Sequence, residues 1–107
     1  MNKTRSIETT DSPVDKKILD ELMKECSDLE LILNHEIDEK GGSLYELYVT
    51  YHNGKKVRQI YSQRGNPRSF KDVHRAIDWG KAFGFNSVHL SINYDAYPDG
   101  GSVTYDD

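Results

Sequence analysis

Asn53-Gly54 lies between two stretches that read as β-strands, and this dipeptide constrains the fold more than any other feature of the chain. Both residues tolerate the positive φ angles that a type I′ turn demands, so Asn-Gly between strand-forming segments is a strong hairpin signal. The segment before it, Leu44 to His52, is rich in aromatic and β-branched residues, the side chains that fit a pleated, half-buried surface. Lys55 to about Gln63 is then the returning strand. An antiparallel pair is thus expected mid-chain, and the flanking sequence must pack against it.

Upstream, Val14, Ile18, Leu19, Leu22, Met23 and Cys26 recur at three- and four-residue steps. That spacing predicts a helix over about 13–27, with Ser12 as N-cap and Pro13 at the first helical position. The next stretch reads two ways. Leu29, Leu31, Leu33 and Ile37 alternate with polar residues, as in a strand; Leu29, Ile32, Leu33 and Ile37 would also prolong the helical stripe to Gly41 or Gly42. The break at Ser27-Asp28 and the loop-like Asp38-Glu39-Lys40-Gly41-Gly42 favour a strand at 29–37.

Downstream, Arg64-Gly65-Asn66-Pro67-Arg68 is expected to turn and Ser69 to cap a second helix. Phe70, Val73, Ile77, Gly80 and Phe83 would share one face of it, with Ala76 and Trp79 at the margins and Gly84 as C-terminal cap. Val88, Leu90 and Ile92 alternate as a last strand. The element order α-β-β-β-α-β predicts a small single α+β domain over 12–94, an antiparallel sheet with helices on one face. Residues 1–11 and the acidic 95–107 are polar and aperiodic and are expected to be disordered tails.

A length of 107 residues suits one domain. No apolar run approaches a membrane span and the N-terminus lacks a signal-peptide pattern, so the expected location is the cytoplasm. No G-x-S-x-G, P-loop, C-x-x-C or H-E-x-x-H motif occurs, and enzymatic activity is not expected. His74 and Asp78, one helical turn apart, are too few ligands for zinc. Cys26, the lone cysteine, sits at an apolar helix position with acidic neighbours Glu25 and Asp28; it reads as a small core residue. No cofactor or metal is expected.

Charge is unevenly laid out. The net charge is −4, yet from His52 to Arg75 seven basic residues stand against Asp72 alone. Lys55 and Lys56 would lie at the hairpin tip, Arg58 on the returning strand, Arg64 and Arg68 around the turn, and Lys71 and Arg75 on one face of the second helix. Tyr48, Gln63 and Asn66 supply stacking and hydrogen-bonding groups among them. Cations contact phosphates with salt-dependent affinity, and polar groups on an exposed sheet face can read base edges. These ten residues are the expected nucleic-acid-binding set, DNA being the favoured partner. The alternative is a protein-binding module, an inhibitor or adaptor whose bipolar surface meets an acidic or basic protein. A run of charges is also what an ordinary solvated face looks like.

The segment Tyr61 to Val73, with Arg64-Gly65, Arg68 and Phe70 leading into a helix, resembles a strand-to-helix pattern of small accessory proteins of plasmids and integrative elements. The layout over about residues 29–92 is also similar to three-strand-plus-helix DNA-binding modules of some tyrosine recombinases. These resemblances imply a mobile-element setting and DNA contact without strand cleavage. The order is similar to the double-stranded-RNA-binding fold too, but the first helix carries Asp15, Asp20, Glu21 and Glu25, and Ser69-Phe70-Lys71 lacks that family's lysine cluster; RNA binding does not carry over.

Overall fold

In a computed structural model of the chain, residues 7–92 are described. They form α1 (Lys16–Glu25), β1 (Glu30–Ile37), β2 (Ser43–Tyr51), β3 (Lys56–Gln59), β4 (Ser69–Phe70), α2 (Val73–Phe83) and β5 (Val88–Ser91). The fold is α+β, as the element order predicts. The expected acidic tail from residue 95 lies outside the described residues.

The first helix starts later than expected. Val14 is fully buried, its N–H donates to the Gln59 carbonyl (2.9 Å) and its own carbonyl accepts from the Tyr61 N–H (2.8 Å). Backbone groups committed to a sheet cannot also begin a helix. The cap is therefore Asp15, whose Oδ1 accepts from Ile18 N–H at 3.0 Å, and Ser12-Pro13 lies outside the helix. The ordered region begins before residue 12 as well: Thr10 N–H donates to the Val57 carbonyl (2.8 Å), and Thr10 Oγ1 accepts from Val57 N–H (3.0 Å). Thr10 to Val14 thus cover the outer edge of β3.

Residues 30–37 are strand, not helix. β1 pairs antiparallel with β2 from Glu30↔Thr50 to Ile37↔Ser43, which uses the alternating pattern in full. The hairpin turn is where Asn53-Gly54 places it, with φ of 59° and 81° and Lys55 N–H donating to the His52 carbonyl at 3.1 Å. His52 also has positive φ, 56°.

Strand order is β3-β2-β1-β5, with β4 also on β2. The expected returning strand is shorter than 55–63. β3 pairs with Tyr48–Tyr51 of β2 and β4 with Tyr45–Glu46; Ile60 N–H still donates to the Leu47 carbonyl (2.9 Å), and the chain loops away from β2 over 61–68. Ser69 is consequently a strand residue. The cap of α2 is Asp72, whose Oδ1 accepts from His74 N–H at 2.8 Å. The sheet is mixed, because β5 runs parallel to β1: α2 crosses the sheet face and delivers β5 to the far side of β1.

One face of the sheet carries the core. Leu31, Leu33, Leu47 and Val49 pack with Val14, Leu19, Leu22, Ile60, Ala76 and Phe85, all buried. The buried stripe of α2 centres on Ala76 and Gly80; Ile77, placed on that stripe by spacing, is exposed. The helices stop short of β5, so Val88 and Leu90 point to the core side beside Leu31 and Leu33 yet remain exposed.

Candidate anion-binding cleft

Where the chain leaves β3, Ser62 N–H donates to the Asn66 carbonyl (2.7 Å) and Gly65 N–H to the Ser62 carbonyl (3.0 Å), closing a tight loop. Arg68 N–H then returns to the Ile60 carbonyl (2.9 Å). This loop, the start of α1 and the middle of α2 enclose a cleft of about 420 Å³ lined by Lys16, Ile60, Tyr61, Ser62, Gln63, Arg64, Arg68 and Trp79. Three cations converge there, and no carboxylate is among the described lining residues.

Arg68 is fixed by aromatic stacking. Its guanidinium lies 5.3 Å from the Trp79 ring centroid and 5.6 Å from that of Phe70, within cation–π range. Its Nε is buried and lacks a hydrogen-bond partner among the described residues. A buried, unsatisfied donor costs about 1–3 kcal/mol, so the guanidinium is under-served by the described residues around it. Lys16 pairs with Asp20 at 3.4 Å on an exposed surface, a contact of small worth.

The remaining expected residues do not gather here. Lys55 is exposed at the hairpin tip. Lys56 Nζ lies 3.3 Å from Asp11 Oδ2. Arg58 Nε donates to the Ser12 carbonyl (2.8 Å) and Nη1 to the Tyr51 hydroxyl (3.3 Å), so both hold the N-terminal segment on the sheet. Asn66 closes the loop through its backbone and its side chain faces solvent. Lys71 sits beside Asp38, Glu39 and Lys40, near the start of β2, whereas Lys55 follows its end. A nine-residue strand separates these two by roughly 25–30 Å. Arg75 is exposed on α2. The single patch expected from sequence reduces to Gln63, Arg64 and Arg68.

The chain matches no protein-family model, and neither a curated protein nor a solved structure resembles it significantly.

Tyr48 lies elsewhere, on the other face of the sheet, and is buried rather than offered to a ligand. The registers place Asn34, Glu36, Glu46, Tyr48 and Gln59 on the face opposite the core. Asn34 Nδ2 donates to Glu36 (2.8 Å) and Gln59 Nε2 to Glu46 (3.5 Å). Burial raises the Glu46 carboxyl above its ordinary range; burial and then repulsion from Glu46 do the same for Glu36. Burial, with these carboxylates and Tyr61 adding, pushes the Tyr48 phenol up to about 12. Among these five residues two are carboxyl groups and none is a cation, so this face offers a phosphate no charge partner from them.

Sequence reasoning missed Lys16 and Trp79. Neither stands out locally, because each meets the basic loop only through the packing of the helices.

Proposed function

We propose that this protein is a small, non-enzymatic nucleic-acid-binding accessory module, DNA being the favoured partner, that grips backbone phosphate in the Lys16–Arg64–Arg68 cleft. The observation that carries the reading is the meeting of three cations around an arginine whose Nε has no partner among the described residues, none of the described lining residues being a carboxylate. Trp79 offers an aromatic wall on which a base can stack. Ser62 and Gln63 add donors of the kind that position phosphate without reading sequence. The likeness of Tyr61–Val73 to plasmid and integrative-element accessory proteins suggests a setting in mobile-element maintenance, in the cytoplasm. No helix among the described residues is long and apolar enough to cross a membrane.

Trp79 is the sole tryptophan, so its fluorescence reports on the cleft directly. Titration with a short duplex and a short single strand at low salt should change that fluorescence. Two to three phosphates neutralised would give a log–log salt slope of about −2 to −3. Arg64→Ala with Arg68→Ala should weaken binding tenfold or more, while Lys71→Ala and Arg75→Ala should change it little. Absence of any response at low salt rejects the reading.

A second reading, a protein-binding module, is favoured by the exposed Ile77, Val88 and Leu90 beside the β5 edge. Recovery of a stoichiometric, nuclease-insensitive protein partner without nucleic-acid binding would favour it.

A further inference from the structure

At the other end of the sheet, three metal-ligating side chains from separate parts of the chain come together. Cys26 is the C-cap of α1, Asp28 lies in the turn that follows, and His52 opens the β2–β3 hairpin. One potential ligand atom from each lies within 4.8 Å of the others. They border an open cleft of about 570 Å³, completed by Glu25, Ser27, Asn53 and Lys55.

We propose that Cys26, His52 and Asp28 form a binding site for a borderline transition-metal dication such as Zn2+. The ligands are one thiolate, one imidazole nitrogen and one carboxylate oxygen, with the fourth position open to water. The donor set is what distinguishes this cleft from an ordinary acidic surface. Thiolate and imidazole select zinc-like ions over calcium or magnesium, which prefer oxygen alone. Zinc ligand distances of about 2.0–2.3 Å require the three atoms to close in by roughly 1 Å. Asp28 and His52 are exposed, so no core packing opposes an adjustment of that size.

The surroundings are suited to a cation. Asn53 N–H donates to Asp28 Oδ2 at 2.8 Å, orienting the carboxylate as outer hydrogen bonds orient metal ligands. The His52 ring lies edge-on to Tyr51, with centroids 4.9 Å apart, which limits its swing. With the thiol ionised, Cys26, Asp28 and Glu25 carry three negative charges against one positive on Lys55, a balance that a dication neutralises. Binding displaces the thiol proton to solvent, and the ion would tie the end of α1 to the hairpin tip.

The test uses the full, reduced chain in the absence of oxygen, with Co2+ as optical probe and Zn2+ as competitor. One equivalent of Co2+ should give a sulfur-to-metal charge-transfer band in the near ultraviolet that Zn2+ abolishes. Zn2+ should release one proton, raise the melting temperature and slow alkylation of Cys26 at least about tenfold, because a metal-bound thiolate is a poorer nucleophile. C26S should lose the band. H52N, which keeps a residue tolerant of positive φ, and D28N, which can still accept from Asn53, should each weaken binding tenfold or more. H74A should leave it unchanged. Absence of the band in the wild-type chain, its full retention in H52N, or undiminished Zn2+ binding by C26S overturns the proposal. The alkylation and stoichiometry measurements on the wild-type chain decide the matter even if a variant fails to fold.

Discussion

Gly80 of α2 meets Leu31 of β1 so closely that a Cβ at position 80 would clash with the Leu31 Cδ2 methyl. The close approach seats the helix on the sheet and accounts for a glycine in a helix interior, where it costs about 1 kcal/mol relative to alanine.

Two opposing terms decide the effect of Gly80→Ala. Helix propensity gains about 1 kcal/mol, and overpacking in a well-filled core costs about 1–3 kcal/mol. Because the clash is with a fully buried side chain, the second term wins and the single variant should be net destabilised. Leu31→Ala alone should cost about 2–5 kcal/mol. In that background the methyl is gone, so Gly80→Ala should turn stabilising. Urea unfolding of the four-member cycle checks the change of sign; a Gly80→Ala effect identical in both backgrounds would show that Leu31 does not set the contact.

The Tyr48 phenol gives an alkaline signature. Its folded pKa of about 12 exceeds the ordinary 10.0, so the neutral form is favoured by the fold. Stability is therefore fully present below pH 10 and is lost as pH rises from 10 towards 12, by up to about 2–3 kcal/mol. Tyr48→Phe should flatten that limb of the pH–stability profile. Glu46, whose pKa burial also raises, behaves likewise at lower pH. Its stability contribution is complete below the unfolded carboxylate pKa and is lost as pH rises through the folded one. Glu46→Gln should thus stabilise the protein at pH 7, with the gain fading in acid. Chemical denaturation from pH 3 to 12 measures both.

Much of this architecture is written in local pattern. Asn53-Gly54 locates the hairpin because positive φ is a property of those two residues, and Leu31 with Leu33 locates β1 because alternation has meaning only in a strand. Ser12-Pro13 misleads as a helix start because Val14 is claimed by a distant partner, Ile60, through a parallel bridge. Ser69 misleads as a cap for the same reason, since Glu46 of β2 takes it into the sheet. The site is less legible than the fold. The run of cations from Lys55 to Arg75 is plain in sequence, but Lys56 and Arg58 are consumed by Asp11 and Ser12. Lys16 and Trp79, which complete the cleft, come from the two helices. Convergence of side chains is a tertiary property, and no spacing along the chain encodes it.

The cover on the β3 edge should be separable from the core. Val57 N–H is held by Thr10 Oγ1, whereas Val14 is bonded to Gln59 and Tyr61. Removing residues 1–11 should therefore speed hydrogen exchange at Val57 while leaving the Tyr61 amide protected. Exchange that rises equally at both amides would mean that residues 10–14 dock as one unit.

Gly54 tests backbone strain free of packing. Its φ is +81°, and a Cβ built there meets nothing within 4 Å. Any cost of Gly54→Ala is thus conformational, about 1–2 kcal/mol for a left-handed L-residue. Asn visits this region more readily, so Gly54→Asn should cost about half as much. If van der Waals contact mattered instead, the larger Asn would be the worse of the two. Thermal unfolding of both variants, with the hairpin followed through the Lys55 amide, distinguishes the cases by their order alone.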